Sequence, residues 1–277
     1  MTRLLHISDT HFGTEQDAVV QALLDLARRL SPDLVVLSGD ITQRARTRQF
    51  AAARQFVSDL GFPVLAIPGN HDIPLFNIAA RVFNPYGGYK RAMGVNLEPV
   101  FSSEGLLVIG VNTTRPARHK NGEVSRVQVE RVCARLRQAR PGQLRVIVVH
   151  QPLRAIVEED VSNLLIGRQV AIPAWVEAGA DLVLGGHIHL PYVVPLGEST
   201  DRRAWVVQAG TATSHRVRGG IPNSVNVLEH HAASMADGVA NCVVERWDFD
   251  SSVGAFSSVH RKVLPLALAG ELMPHKN

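Results

Sequence analysis

The stretch DLVVLSGD (33–40) sets four apolar residues in a row and closes them with Ser-Gly-Asp. Four residues are too few for a helix, and an unbroken apolar run reads as a strand covered on both faces. Helical spacing lies on either side of it, in EQDAVVQALLDLARRL (15–30) and over 44–60. The same beat continues outward. RLLHISD (3–9) reads as a strand, PVLAIPGNHD (63–72) as a strand running into a loop, and LLVIGVN (106–112), LRVIVVHQP (144–152) and ADLVLGGHIH (180–189) as further strands. A basic helix is predicted over 124–139. Strands alternating with helices predict an α/β fold.

After residue 190 the texture changes to strands and turns: PYVVPLG, AWVVQAG, NSVNVLEH and VANCVVERWDF. This half reads as mainly antiparallel. No Pro/Ser-rich linker divides the two halves, which predicts one domain over 1–250 built on two sheets. The C-terminal extension 251–277 is predicted to supply an edge strand, a mobile tail or a dimer contact. Residues 84–94 (NPYGGYKRAMG) and 113–123 (TTRPARHKNGE) read as loops long enough to overhang a site.

Composition excludes more than it assigns. Of 277 residues 45% are hydrophobic and 19% charged, a globular balance. Two distant cysteines, Cys133 and Cys242, make neither a disulfide framework nor a ligand spacing, so both are expected reduced and buried. The N-terminus enters a strand at once, and no apolar run approaches the ~18 residues of a membrane span. A cytoplasmic protein without a membrane partner is the expectation. Net charge is +4, and arginine dominates the 29 basic residues, which favours anionic ligands. Aromatics are only 5%, too few for the stacking platform of a single-strand binder, so nucleic acid is not the expected partner.

The chemistry gathers at strand ends. The predicted strands finish in Asp9-Thr10-His11, Gly39-Asp40, Gly69-Asn70-His71-Asp72, His150, and His187-Ile188-His189. Five of the twelve histidines fall there. Each end alone has an ordinary reading as a polar strand exit, an N-cap, a tight turn or a histidine bonded to backbone. Together, five segments deliver Asp, His and Asn to one sheet edge, where α/β proteins bind ligands. In extended chain, i and i+2 point the same way, so Asp9 and His11 could face one ion, as could His187 and His189. Gly39, Gly69, Gly185 and Gly186 leave room for close approach. Carboxylate, imidazole and amide donors without thiolate suit Mn, Fe, Zn or Ni, and about seven donors exceed one tetrahedral site. The expected cofactor is a pair of divalent cations.

In this order, D-x-H, G-D, G-N-H-D, H-x-P and G-H-x-H resemble the calcineurin-like metallophosphoesterases from residue 4 to about 190. The resemblance implies a four-layer αββα fold, a two-sheet β-sandwich flanked by helices. It implies that Asp9, His11 and His189 hold one metal, that Asn70, His150 and His187 hold the other, and that Asp40 bridges them. It further implies that His71 faces the substrate phosphate, that Asp72 orients its imidazole, and that Asn70 joins in neutralising charge. The implied reaction is attack on phosphorus by a hydroxide shared between the cations.

HISDTH, GDITQRA and GTATSHRVRG are similar to the class III cyclic nucleotide phosphodiesterases, which implies a small nucleotide phosphodiester such as cAMP as substrate. Relatives often carry His-His where this chain has His150-Gln151, a departure expected to alter the pocket. Within SHRVRGG (214–220), His215, Arg216 and Arg218 are candidates for contacting phosphate or base, and equally a structural turn. QRARTRQFAAAR (43–54) has the look of a phosphate-binding patch, but a solvated helix face is the preferred reading. Phosphomonoesterase, nuclease or phospholipid-precursor hydrolase activity would use the same core, and a non-catalytic metal-binding scaffold is the alternative of another class.

Overall fold

The computed structural model describes residues 1–197, 204–232 and 240–266. Two six-stranded sheets face each other. The first has the order β12 (Ala255–Pro265), β11 (Asn241–Asp250), β10 (Ser224–His231), β1 (Thr2–Ile7), β2 (Leu34–Leu37) and β3 (Val64–Ala66). The second runs β4 (Val100–Ser102), β5 (Leu106–Gly110), β6 (Leu144–Val148), β7 (Leu182–Gly185), β9 (Trp205–Gln208) and β8 (Tyr192–Pro195). Strands β1, β2 and β3 run parallel, as do β5, β6, β7 and β9. Their carboxyl ends therefore lie on one side of the sandwich.

The strand periodicity sorts side chains into three apolar layers. Leu34 and Val36 of β2 point between the sheets, where they meet Leu4, Val146, Leu184 and Val244. Val35 and Leu37 point outward, onto α1 (Asp17–Leu30) and α2 (Thr47–Leu60), with Leu23, Phe50 and Phe56. On the far side, Ile147 and Val183 pack against α5 (Arg126–Arg137) and α6 (Arg168–Glu177) through Val132 and Trp175. This is the four-layer αββα arrangement. Each buried Leu or Val contributes roughly 1.5–3 kcal/mol, and no face of either parallel core is left for water.

Several local expectations change. The stretch 84–94 is not all loop, since Gly87–Met93 forms α4. Its glycines permit this: a Cβ on Gly88 would meet the Phe50 ring at 2.5 Å, so α4 lies tightly on α2. The short α3 (Ile78–Phe83), α6 and β4 carry no clear sequence signal. The β-rich half is also less antiparallel than its texture suggests, because β9 inserts parallel to β7. Texture reports strand character, whereas direction depends on where the chain re-enters the sheet. Strand β12 stands at the edge of its sheet, paired antiparallel with β11. The end of the C-terminal extension, residues 267–277, expected as tail or dimer contact, lies outside the described residues. Cys133 and Cys242 are buried free thiols. Among the described residues no helix is long and apolar enough to cross a membrane.

Candidate metal centre

The ends of β1, β2, β3, β6 and β7 converge on one point. Two groups of ligand atoms form there, Asp9–His11–His189 and Asp40–His150–His187, the atoms of each within 4.8 Å of one another. His189 Nε2 lies 3.2 Å from Asp9 Oδ1 and 3.0 Å from His11 Nε2. His150 Nε2 lies 3.2 Å from Asp40 Oδ1. Asp40 Oδ2 faces the other group, 3.9 Å from His11 Nε2. His187 and His189 thus enter different groups, and Asp40 stands between the two.

The local route to this arrangement differs from the expected one. Asp9, His11, Asp40, His187 and His189 all have left-handed backbone, with φ of 52°, 46°, 49°, 75° and 56°. Only two other non-glycine residues, Ser31 and Ala45, share that conformation among those described. The pairs do not converge through the pleat of an extended strand. Each chain kinks as it leaves the sheet, at a cost of order 1–3 kcal/mol per strained residue. Backbone bonds hold the kinks: Asp9 N donates to Gly39 O (3.1 Å) and His11 N to Asp40 O (3.0 Å). Gly39, Gly69 and Gly186 play the expected part, while Gly185 faces the Gln208 side chain. A Cβ on Gly69 would lie 2.0 Å from Asp40 N, one on Gly39 2.5 Å from His150 Nδ1, and one on Gly186 2.4 Å from Asp9 Oδ2.

The polar atoms fit cations. Asp9 Oδ1, Asn70 Oδ1, His150 Nε2 and both ring nitrogens of His187 are buried without hydrogen-bond partners. Orphans of this kind are costly unless a ligand meets them. The second ring nitrogens settle the tautomers. His150 Nδ1 donates to Ser38 O (2.8 Å) and His189 Nδ1 to Arg216 O (2.7 Å), which turns both Nε2 lone pairs inward. Asp9 Oδ2 accepts from the Ser8 hydroxyl (2.7 Å) and from His187 N (2.9 Å), leaving Oδ1 free.

Electrostatics agree with this reading. Burial alone would raise Asp9 and Asp40, but the neighbouring histidines, His189 for Asp9 and His150 for Asp40, hold both carboxyls well below the ordinary range. Burial pushes His11 and His187 down to about 3, so both rings are neutral. Burial opposes charge on His150 too, yet Asp40 overrides it and lifts the ring to about 9, while Asp9 moves His189 upward from its ordinary value. A divalent cation would displace the proton on His150, so metal binding there releases a proton.

A cavity of about 330 Å³ opens on the centre, lined by Asp40, Asn70, His71, His187, His189 and Arg216. His71 is part-buried, with Nε2 3.9 Å from Asp40 Oδ2. Its orientation comes from Gln43, whose carbonyl accepts from Nδ1 at 2.8 Å. Asp72 does not orient it. The Asp72 carboxylate accepts instead from the amides of Gly69 (2.9 Å), Ile41 (3.0 Å) and Thr42 (2.7 Å), and from the Thr42 hydroxyl (2.9 Å). It ties two strand-end loops together below the site. Burial, with the Asp40 charge, pushes it up to about 6.

The predicted anion contacts separate. Arg216 reaches the cavity and donates to Gln43 Oε1 (3.0 Å). Arg218 is tied to the buried Asp160 (2.8 Å), and His215 is exposed away from the cavity. Gln151 does not enter the cavity. Buried, it accepts from the Thr113 hydroxyl (2.6 Å) and donates to Lys120 O (3.2 Å), holding the 113–123 loop over the site. His119 and Lys120 of that loop line the cavity, as do Arg44 and Arg81. Arg44 was expected on a solvated helix face, but it precedes α2 and sits in the turn beside Asp40. Only the spacing from Asp40, too short for a helix to have begun, could have shown this.

Comparison with known proteins agrees with the geometry. A probable cyclic nucleotide phosphodiesterase of Synechococcus sp. is 27% identical over 210 residues, covering 71% of this chain and 77% of the relative. A glycerophosphodiester phosphodiesterase of Enterobacter lignolyticus is 42% identical over 82 residues, 25% of this chain and 29% of that one. In fold, a dimetal phosphatase from Danio rerio superposes with a TM-score of 0.66 over 96% of this chain and 99% of the other, at 12% identity. The family profile described as calcineurin-like phosphoesterase matches residues 2–191, more than two thirds of the chain and every strand end that meets at the centre. The chain belongs to that family, the metal-dependent hydrolases of phosphoric esters.

Proposed function

We propose that the chain is a nucleotide phosphodiesterase, with Asp9, His11 and His189 holding one divalent cation, Asn70, His150 and His187 the other, and Asp40 shared. The observation that carries this reading is the pair of three-residue groups opening into one basic cavity. The oxygen and nitrogen donor set, without sulfur, suits Mn, Fe, Zn or Ni. When bound, such cations supply Lewis acidity to the phosphoryl oxygens and acidify water at neutral pH.

The chain's own residues do the rest. Gln43 fixes His71 from behind, so Nε2 points into the cavity, where it stabilises charge on the phosphate and passes a proton to the leaving oxygen. Asp40 Oδ2 stands 3.9 Å from that Nε2. Arg216, braced by Gln43 Oε1, and the Asn70 amide meet the equatorial oxygens. Asp72 acts at one remove, by joining the loops that carry Asp40 and His71.

The finer reading, a 3′,5′-cyclic nucleotide as the diester, draws support from the name of the Synechococcus relative. The test is a panel assay. Metal-stripped protein reloaded with Mn, Fe, Zn or Ni is offered cAMP, thymidine 5′-(p-nitrophenyl phosphate) and p-nitrophenyl phosphate. Turnover of the diesters above the monoester is expected. Inertness toward all three with two cations bound would leave a metal-binding scaffold as the better account.

A further inference from the structure

Beside the metal cavity lies a second one, of about 590 Å³, that the mechanism above does not use. Arg44 and Leu75 line both, so the two adjoin. The second cavity adds Arg46 and Arg91 to Arg44, and among the described residues no carboxylate lines it. Three guanidinium groups around one concavity repel one another, and an anion among them reverses the sign of that interaction. Guanidinium also matches phosphate in geometry, with forked donors for two oxygens.

The backbone presenting two of these arginines is specially held. Ala45, between them, has a φ of 50°, a left-handed conformation an alanine rarely adopts. Its amide donates to the Thr42 hydroxyl (3.1 Å). The Gln49 side-chain oxygen accepts from the amides of both Arg44 (2.9 Å) and Arg46 (3.3 Å). The third arginine arrives from α4, packed on α2 at Gly88. Strain of this kind persists where surrounding bonds over-determine it, and it gathers at functional sites. Here it lies outside the metal ligands. Phe76 stands exposed at the rim, with the Arg44 guanidinium 5.9 Å from its ring.

We propose that this cavity is a distal phosphate subsite, and that the chain acts best on nucleotide phosphodiesters carrying a second phosphate beyond the scissile one. The proposal rests on the phosphodiesterase reading and narrows its substrate. A cyclic nucleotide has no second phosphate to place there, and so ranks below a bisphosphorylated diester.

The test compares two chromogenic esters on the metal-loaded protein: thymidine 5′-(p-nitrophenyl phosphate) and the same compound with a 3′-phosphate. The subsite raises kcat/KM for the second by about tenfold or more, mainly through KM, and the advantage shrinks at high salt. In Arg46→Ala/Arg91→Ala the ratio between the two esters falls toward one, and in Arg46→Lys/Arg91→Lys part of it returns. Equal kcat/KM in the unaltered protein, or a preference that survives the double alanine change, overturns the subsite. Calorimetric titration of the metal-free protein with thymidine 3′,5′-bisphosphate gives a second readout. Binding weakened at least severalfold by the double alanine change supports the subsite, and unchanged binding overturns it. Should neither ester be hydrolysed, the phosphodiesterase reading fails, and the calorimetric comparison alone decides whether the cavity takes phosphate.

Discussion

Replacing Gly186 with alanine tests how the first ligand group is held. A Cβ there would stand 1.9 Å from Ser8 Oγ, 2.4 Å from Asp9 Oδ2 and 2.9 Å from Ser8 Cβ. Ordinary contact begins near 3.4 Å, so the Ser8 hydroxyl must retreat by about 1.5 Å and the Asp9 carboxylate by about 1 Å. The carboxylate accepts from Ser8 Oγ and from His187 N, and a shift of that size breaks one or both bonds. Overpacking costs ~1–3 kcal/mol, and a buried acceptor left unpaired costs ~1–3 kcal/mol more. Ligands must sit within ~0.5 Å of productive geometry, so the cation between Asp9, His11 and His189 is the one expected to be lost. Gly186→Ala should bind one equivalent of Mn tightly where the unaltered protein binds two, with a melting temperature several degrees lower. Metal content after desalting, and titration followed by calorimetry, read this directly. Gly185→Ala is the control, because its Cβ would meet only the end of the Gln208 side chain at 2.8 Å. Two equivalents bound at unaltered affinity by Gly186→Ala would refute the reasoning.

Two further outcomes are expected. His71→Ala should lower turnover by ~10²–10⁴-fold while both cations stay bound, as metal analysis alongside the diester assay will report; loss of a cation would make His71 a ligand instead. His6 is fully buried, beside Ser38 Oγ at 2.9 Å, and burial pushes it down to about 3. The unfolded chain takes up this proton near pH 6.5, so stability present above that pH is lost as pH falls toward 3. The loss is roughly 2 kcal/mol between pH 7 and pH 5. Denaturant titrations of metal-free protein should therefore show a shallower acid slope in His6→Phe than in the unaltered chain, and equal slopes would reject the assignment.

Much of the centre was legible because its residues are local signals. Asp9, His11, Asp40, Asn70, His71, His150, His187 and His189 each follow an apolar run, and apolar runs mark strands without knowledge of what they pack against. Parallel strands then bring their carboxyl ends together whatever the loops do. What sequence could not supply was the direction of side chains in irregular backbone. Asp72 follows His71 directly, yet its carboxylate turns back to accept from the amides of Gly69, Ile41 and Thr42, two of them from a segment some thirty residues away. Arg216 and Arg218 stand two apart on one turn, yet only Arg216 enters the cavity, since Asp160 from a distant segment captures the other.

The sequence by itself pointed to an α/β fold on two sheets and to a set of strand ends rich in Asp, His and Asn, and the family resemblance implied the layer order and the ligand roles. The first two follow from periodicity and residue type, which act over a few neighbours. The tertiary structure alone decided the left-handed kinks that aim five of those donors, the carbonyl that orients His71, and the meeting of Arg44, Arg46 and Arg91 around one cavity. These depend on contacts between segments tens of residues apart. No local preference encodes them, and only the closed sandwich makes strained backbone the lowest-energy path for the chain.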